Sequence, residues 1–353
     1  ALLTGLRPPS SGVFGNQDDW RDLALPNIST TMPGQFKNNG YHTVKAGKLY
    51  HYQMEHPESW SRELETPFER DGKQILSSYA PKIQARLETV DIKGQNSYFL
   101  DALAWGGIDC EPWDFRDGQY TAAALEFFKE KHEKPFFLAL GYHAPHLKFA
   151  GPQQFFDLYD LADIKLPQNP PNDLEDIPSI HEKNRLHDFI DETTWKKIIR
   201  AQFAMISYID WCVAQVMDGL KENGLDQNTI VVLWTDHGFM LGEHFQWSKG
   251  GNKLFDETCR TAFIWKVPGV TPAGVKTTSV VESIDLFPTL FELCGIAIPA
   301  HVEGKSFVPV LKDPSMPWKK AAFTWGSDKK WVSIQTERYR FNTNIDFDPK
   351  SFE

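Results

Sequence analysis

Four short segments of this 353-residue chain place lysine or histidine beside glycine, proline or tryptophan where a strand pattern has just ended. Gly47-Lys48-Leu49-Tyr50-His51 follows the strand-like run Tyr41 to Ala46, and Gly141-Tyr142-His143-Ala144-Pro145-His146 follows the apolar run Pro135 to Leu140. Asp236-His237-Gly238 follows the β-branched run Thr229 to Trp234, and Trp247-Ser248-Lys249 comes shortly afterwards. Singly, each has an ordinary explanation: a lysine after a strand is solvated, and a histidine in a turn bonds local backbone. Together they suit an oxygen-rich anionic ester, because ammonium groups neutralise the anion and imidazole moves protons near neutral pH. Asp236 adds a hard carboxylate for Ca²⁺ or Mg²⁺, although one carboxylate and one imidazole fall short of a six-oxygen shell.

The elements that must position these residues alternate between strand and helix patterns, which is the signature of an α/β fold with a mainly parallel central sheet flanked by helices. Polar residues directly after buried strands then fall at the carboxyl edge of the sheet, where such folds bind ligands. A helix with apolar positions Ala124, Leu125 and Phe128 precedes the 135–140 strand. The clearest helix spans about Glu192 to Asn223, with Ile199, Phe203, Ile206, Ile209, Val213, Val216 and Leu220 spaced to share one face, and Gly224 stops it. Tyr52 to Gly94 and Lys165 to Phe189 read as long surface insertions able to shape a substrate cleft. Pro309 to Pro317 reads as a linker, and Ala321 to Asn342 as hairpin strands.

Composition narrows the chemistry further. Hydrophobic residues at 41% and charged residues at 24% are ordinary for a globular chain, and collagen-like, disordered and coiled-coil readings drop out. A net charge of −10 argues against a nucleic-acid partner, while a local lysine and histidine cluster can still attract an anion. No apolar run approaches the length needed to span a membrane. The four cysteines lack metal-type spacing, and Cys212 and Cys294 sit in helix-like patterns that suit buried thiols. The Asn27-Ile28-Ser29 sequon is a motif short enough to arise by chance.

Ala1-Leu2-Leu3-Thr4-Gly5-Leu6-Arg7-Pro8 resembles the tail of the sulfatase signature Cys-x-Pro-Ser-Arg-x-x-Leu-x-Thr-Gly. Asp236-His237-Gly238-Phe239-Met240-Leu241-Gly242-Glu243-His244, Trp247-x-Lys249, Ser283 to Leu290 and Gly304 to Leu311 resemble later landmarks of the same family, in the same order. The Lys48-x-x-His51 spacing and the Gly-Tyr-His-x-Pro-His run are similar to the iduronate 2-sulfatase branch. The chain is therefore identified as resembling the formylglycine-dependent sulfatases of the alkaline phosphatase superfamily.

That resemblance implies a sulfuric ester hydrolase removing sulfate from a sulfated saccharide, as in glycosaminoglycan degradation. It implies Asp236 and His237 as ligands of Ca²⁺ (or Mg²⁺), Lys48 and Lys249 as sulfate holders, His51 as the group that orients the nucleophile and helps expel sulfate, and His146 as proton donor to the leaving sugar oxygen. The nucleophile, a formylglycine made from cysteine by a formylglycine-generating enzyme, is expected upstream of Ala1, along with an Asp-Asp metal pair; Asp18-Asp19 is a solvated loop, not that pair. Residues 1–312 are expected to form the catalytic domain, lacking its N-terminal strand, and 313–353 to begin a small C-terminal antiparallel subdomain. By family habit the protein is periplasmic or secreted in bacteria, lysosomal in animals. Two alternatives stay open: a phosphomonoester or phosphonate ester hydrolase of the same superfamily, and a non-catalytic binding protein on the same fold.

Overall fold

The computed structural model describes residues 1–21, 31–51, 54–67, 69–90, 103–175, 186–249 and 253–344. The Asn27 sequon and the end of the chain lie outside them. The strand His42–Gly47 is flanked by Arg62–Glu63 and Phe136–Gly141, all parallel, with His42 opposite Phe136 and Gly47 opposite Gly141. Val231–Trp234 pairs antiparallel with Phe263–Lys266. A second parallel pair, Ala104–Ile108 with Phe149–Pro152, lies in a separate sheet.

Helices cover both faces of the main strands. On one face, Val44 and Ala46 pack with Ala124, Phe127 and Phe128 of the helix Arg116–Phe128 and with Leu220 of the long helix Glu192–Glu222. On the other, Met32 and Phe36 join Leu286, Phe287, Leu290 and Phe291 of the helix Leu286–Leu293. Leu138, Leu140 and Val231 lean on the first layer; Phe137, Val232 and Trp234 lean on the second. Phe136–Gly141 and Val231–Trp234 thus lie between the same two layers, yet among the described residues no ladder joins them, and both remain half-buried. Continuously apolar strands of this kind belong in the middle of a parallel sheet, covered on both faces.

The long helix begins where Asp191 accepts a hydrogen bond from the Thr194 N–H (2.6 Å), and ends before Gly224, whose φ of +69° suits a residue without Cβ. Its buried face matches the expected stripe in part: Ile199 and Leu220 are buried, and Ile209 and Val216 pack on the core. Ile198, Ala201, Ala204, Met205, Tyr208 and Cys212 are buried, whereas Phe203 and Ile206 are 40% and 49% exposed. Phe203 instead lies on the Tyr159 ring at 5.6 Å. Alanine marks the tightest approach because only a small side chain lets another element come that close.

The expected linker is partly helical: Val308–Lys312 forms a short helix with Val308 and Val310 buried. Ala322–Trp325, Trp331–Gln335 and Arg340–Asn344 form a small antiparallel sheet, as the alternating tail implied. It docks through Arg340, which binds Asp256 at 2.9 Å, and Asn342, which donates to the Leu254 carbonyl at 3.2 Å. A buried ionic cluster ties the chain's two ends: Glu282 meets Arg7 (2.7 Å) and Lys319 (2.6 Å), and Lys319 also meets Asp285 (2.6 Å). Among the described residues, no helix is long and apolar enough to cross a membrane.

Candidate active site

Lys48 is placed by a close crossing of two chains. Gly47 has a φ of +77°, and a Cβ on it would collide with the Gly141 carbonyl, while a Cβ on Gly141 would collide with Lys48 backbone. Only glycine fits at both positions. The Lys48 N–H then donates to the Gly141 carbonyl at 2.8 Å, which sets Lys48 and the Tyr142–His146 turn side by side at the carboxyl end of the sheet.

That turn is held from below by Asp117, a 4%-exposed carboxylate in the first turn of the helix Arg116–Phe128. It accepts the His143 N–H at 2.9 Å and the Ala144 N–H at 2.8 Å. Burial pushes its pKa up to about 6, against the pull of the two backbone donors and of Arg116. His146 Nδ1 lies 2.7 Å from the Leu147 carbonyl. A carbonyl only accepts, so Nδ1 carries the proton and Nε2 is left as the exchanging nitrogen. Tyr79, from the first long insertion, donates to the same carbonyl at 2.9 Å and stands 3.4 Å from His146 Nδ1.

Asp236 and His237 sit just past the Val231–Trp234 strand. Gly238 follows because a Cβ there would strike the Glu257 carbonyl, and its N–H donates to the Thr258 carbonyl at 2.9 Å. His237 Nδ1 donates to the Gly238 carbonyl at 2.8 Å, and Nε2 faces Asp236 Oδ2 at 3.3 Å. Met240–Leu241 and Trp247–Ser248 then form a two-stranded antiparallel ribbon that returns the chain, with Trp247 fully buried as its anchor, and Lys249 emerges beside Asp236.

Electrostatics shows which of these groups share one place. Burial lowers the pKa of His51, and the charges of Lys48 and Lys249 lower it further. The His146 pKa is lowered by burial and by Lys249, Lys48 and His237, with its backbone bond opposing. His237 is lowered mainly by burial, Asp236 raising it and Lys249 and Lys48 lowering it. Lys249 is lowered by burial and by Lys48, while Asp236 raises it. Lys48, His51, His146, Asp236, His237 and Lys249 are therefore linked by one another's charges although they come from four separate segments.

The donor chemistry suits part of a metal site: a carboxylate oxygen next to an imidazole Nε2 whose Nδ1 is fixed on a carbonyl. Two donors do not make a Ca²⁺ or Mg²⁺ shell, and no third histidine, cysteine, aspartate or glutamate joins them among the described residues. Asp18 is not the missing ligand, because its carboxylate caps the Phe14 and Gly15 N–H groups at 2.9 and 3.0 Å; Asp19 binds Arg21. The four cysteines are free thiols; Cys212 is buried, and burial pushes Cys110 and Cys212 up to about 12, far from nucleophilic.

Asp117, Tyr79 and Arg116 were not singled out by sequence. An aspartate in a first helical turn reads as a dipole partner, and nothing local reveals that Tyr79 meets a turn 67 residues away.

The fold and the cleft together define an alkaline-phosphatase-like α/β protein with its cationic site at the carboxyl end of the sheet. The family model described as Sulfatase matches residues 1–296. This chain belongs to the sulfatase family. It is 32% identical over 359 residues to a protein named sulfatase from Formosa agariphila, covering 96% of this chain and 68% of that one. It is 29% identical over 439 residues to iduronate 2-sulfatase of Mus musculus, covering 100% of this chain and 76% of that one. A solved structure of a phosphonate monoester hydrolase from Silicibacter pomeroyi matches with a TM-score of 0.69 and 18% identity, over 98% of this chain and 79% of that one.

Proposed function

We propose that this protein is a sulfuric ester hydrolase that removes sulfate from a sulfated saccharide. The observation that supports the reading is that two lysines and two histidines from separate segments lie within reach of one another's charge. Lys48 and Lys249 hold the sulfate group as its leaving bond weakens. His146, with Nδ1 fixed on the Leu147 carbonyl, presents Nε2 to the sugar oxygen and gives it a proton. His51 lies within reach of the same two lysine charges and serves proton transfer on the nucleophile side. Asp236 and His237 contribute two ligands toward a divalent cation, Ca²⁺ by family preference, which polarises sulfate oxygens when bound.

The family relation also supports a formylglycine nucleophile formed, by its generating enzyme, on a segment preceding Ala1. In this reading residues 1–312 are the catalytic domain and 313–353 begin the C-terminal subdomain. The unladdered, half-buried edges of Phe136–Gly141 and Val231–Trp234 support one more strand entering between them. The phosphonate ester reading rests on fold likeness alone.

The test uses the protein with its upstream segment, assayed on a sugar sulfate and on an aryl sulfate with a good leaving group. His146→Ala should slow the sugar sulfate by roughly 10²–10⁴-fold and the aryl sulfate far less. Lys249→Ala should slow both. Equal losses for His146→Ala on the two esters would remove its role as proton donor.

A further inference from the structure

A small surface concavity is lined by Ser77, Ser78 and Tyr79 and by Arg116, His143, His146 and Lys148. His146 lines it and also faces the sulfate-holding lysines, so the two spaces adjoin.

Its lining is mainly cationic. Arg116 and Lys148 are both half-buried, and among the described residues neither side chain has an ion-pair or hydrogen-bond partner. Lys319, also half-buried, is by contrast paired with Glu282 and Asp285. A cation taken partly out of water without a counter-charge costs free energy, which a bound anion returns. His143 Nδ1 is buried in the same wall with no hydrogen-bond partner. Burial and the neighbouring Arg116, Lys48, His146 and Lys249 charges lower its pKa to about 4, so the ring is neutral and free to donate one hydrogen bond. Asp117 is the one carboxylate in the lining, and its oxygens are committed to the His143 and Ala144 N–H groups. The lining therefore keeps a positive balance, and Arg116 offers the planar fork that matches a carboxylate or a sulfate.

We propose that Arg116 and Lys148, with the His143 ring, form a second anion subsite that binds an acidic substituent, carboxylate or sulfate, on the same saccharide whose sulfate ester is cleaved beside His146. This rests on the sulfatase reading and narrows it to saccharides carrying a second acidic group close to the scissile ester. Tyr79, tied to the Leu147 carbonyl, holds the outer wall in place.

The experiment compares kcat/KM within two substrate pairs, using the protein with its upstream segment. One pair is a sulfated uronate and its carboxyl-reduced neutral analogue; the other is a disulfated and a monosulfated glucosamine. For wild type, the more acidic member of one pair should be preferred. In Arg116→Gln that preference should fall roughly 10- to 100-fold, and Arg116→Lys should recover part of it. The pair whose preference collapses identifies the group bound, carboxylate or sulfate. Lys148→Gln should move the same ratio in the same direction, and it decides the question if Arg116→Gln does not fold. Unchanged ratios in both pairs, or equal losses on every substrate, overturn the subsite. If no sulfate ester is hydrolysed, the functional reading itself fails. Calorimetry of the same four saccharides then judges the subsite separately: loss of the acidic preference in Arg116→Gln upholds it, and no preference in wild type overturns it.

Discussion

Asp117→Asn separates the cost of burying a carboxylate from the value of the turn it holds. The carboxyl group is 4% exposed and accepts two backbone N–H groups, and its pKa moves from 3.8 to about 6 on folding. Between those values the folded state holds a proton that the unfolded state has released. Stability must therefore fall as pH rises from 3.8 to about 6 and level off above. A shift of about two pH units at ~1.4 kcal/mol each makes the loss about 3 kcal/mol. Asparagine has the same shape and no charge, so the variant lacks this slope. Urea denaturation of both proteins at several pH values between 4 and 7, followed by tryptophan fluorescence, gives the difference directly. Wild-type stability minus variant stability should drop by about 2–2.5 kcal/mol across that range, the rest of the loss falling below pH 4. A difference that stays flat, or grows with pH, would mean that the backbone donors outweigh burial, and the reasoning about this carboxylate would be wrong. Asp117→Ala removes both acceptors and should cost about 2–5 kcal/mol near neutral pH, since two buried N–H groups lose their partner.

Further outcomes follow from other contacts. Lys319→Met removes the cation beside Asp285, fully buried, and leaves Arg7 as the cation on Glu282; chemical denaturation should show a loss of about 3 kcal/mol, and a loss below about 1 would mean solvent reaches the cluster. His244 joins the second insertion to the segment past the cleft, through Asp173 at 2.9 Å and Glu257 at 3.3 Å, and the Glu257 bond foremost raises its pKa above 6.5. Its stabilisation is full below about pH 6.5 and is lost as pH rises through the raised folded value, so His244→Gln should destabilise at pH 6 and matter less at pH 8.5. Thermal melts at the two pH values would expose an error if the cost were the same at both. The lowered His146 pKa places the alkaline limb of kcat/KM for an unactivated sugar sulfate below the usual imidazole value of about 6.5; a limb above it would point to another acid.

The strand ends were legible because apolar runs and the polar residues after them are local: His42–Gly47, Phe136–Gly141 and Val231–Trp234 fall where the pattern placed them. The helix Glu192–Glu222 was equally legible in extent, and its facing was misread at Phe203 and Ile206. A count of large apolar residues rewards Phe203 and Ile206, while Ala201 and Ala204 are fully buried and carry little hydropathy signal. The helix at Val308–Lys312 was hidden by its flanking prolines, although proline near the first turn is compatible with a helix. Lys48, His51, His146, Asp236, His237 and Lys249 were singled out by motif. Arg116, Asp117 and Tyr79 did not, because what they do depends on chain crossings such as Gly47 against Gly141 that no local spacing encodes.

The most direct test of the central reading is the identity of the released anion. The protein with its upstream segment is incubated with a sulfated saccharide and with phosphate and phosphonate esters of matched leaving group, and ion chromatography follows the products. Inorganic sulfate should appear at a rate that Lys48→Ala and Lys249→Ala both depress by at least about 100-fold, with phosphorus esters turned over more slowly. Phosphate or phosphonate release that outpaces sulfate, or sulfate release indifferent to both lysines, would contradict the account.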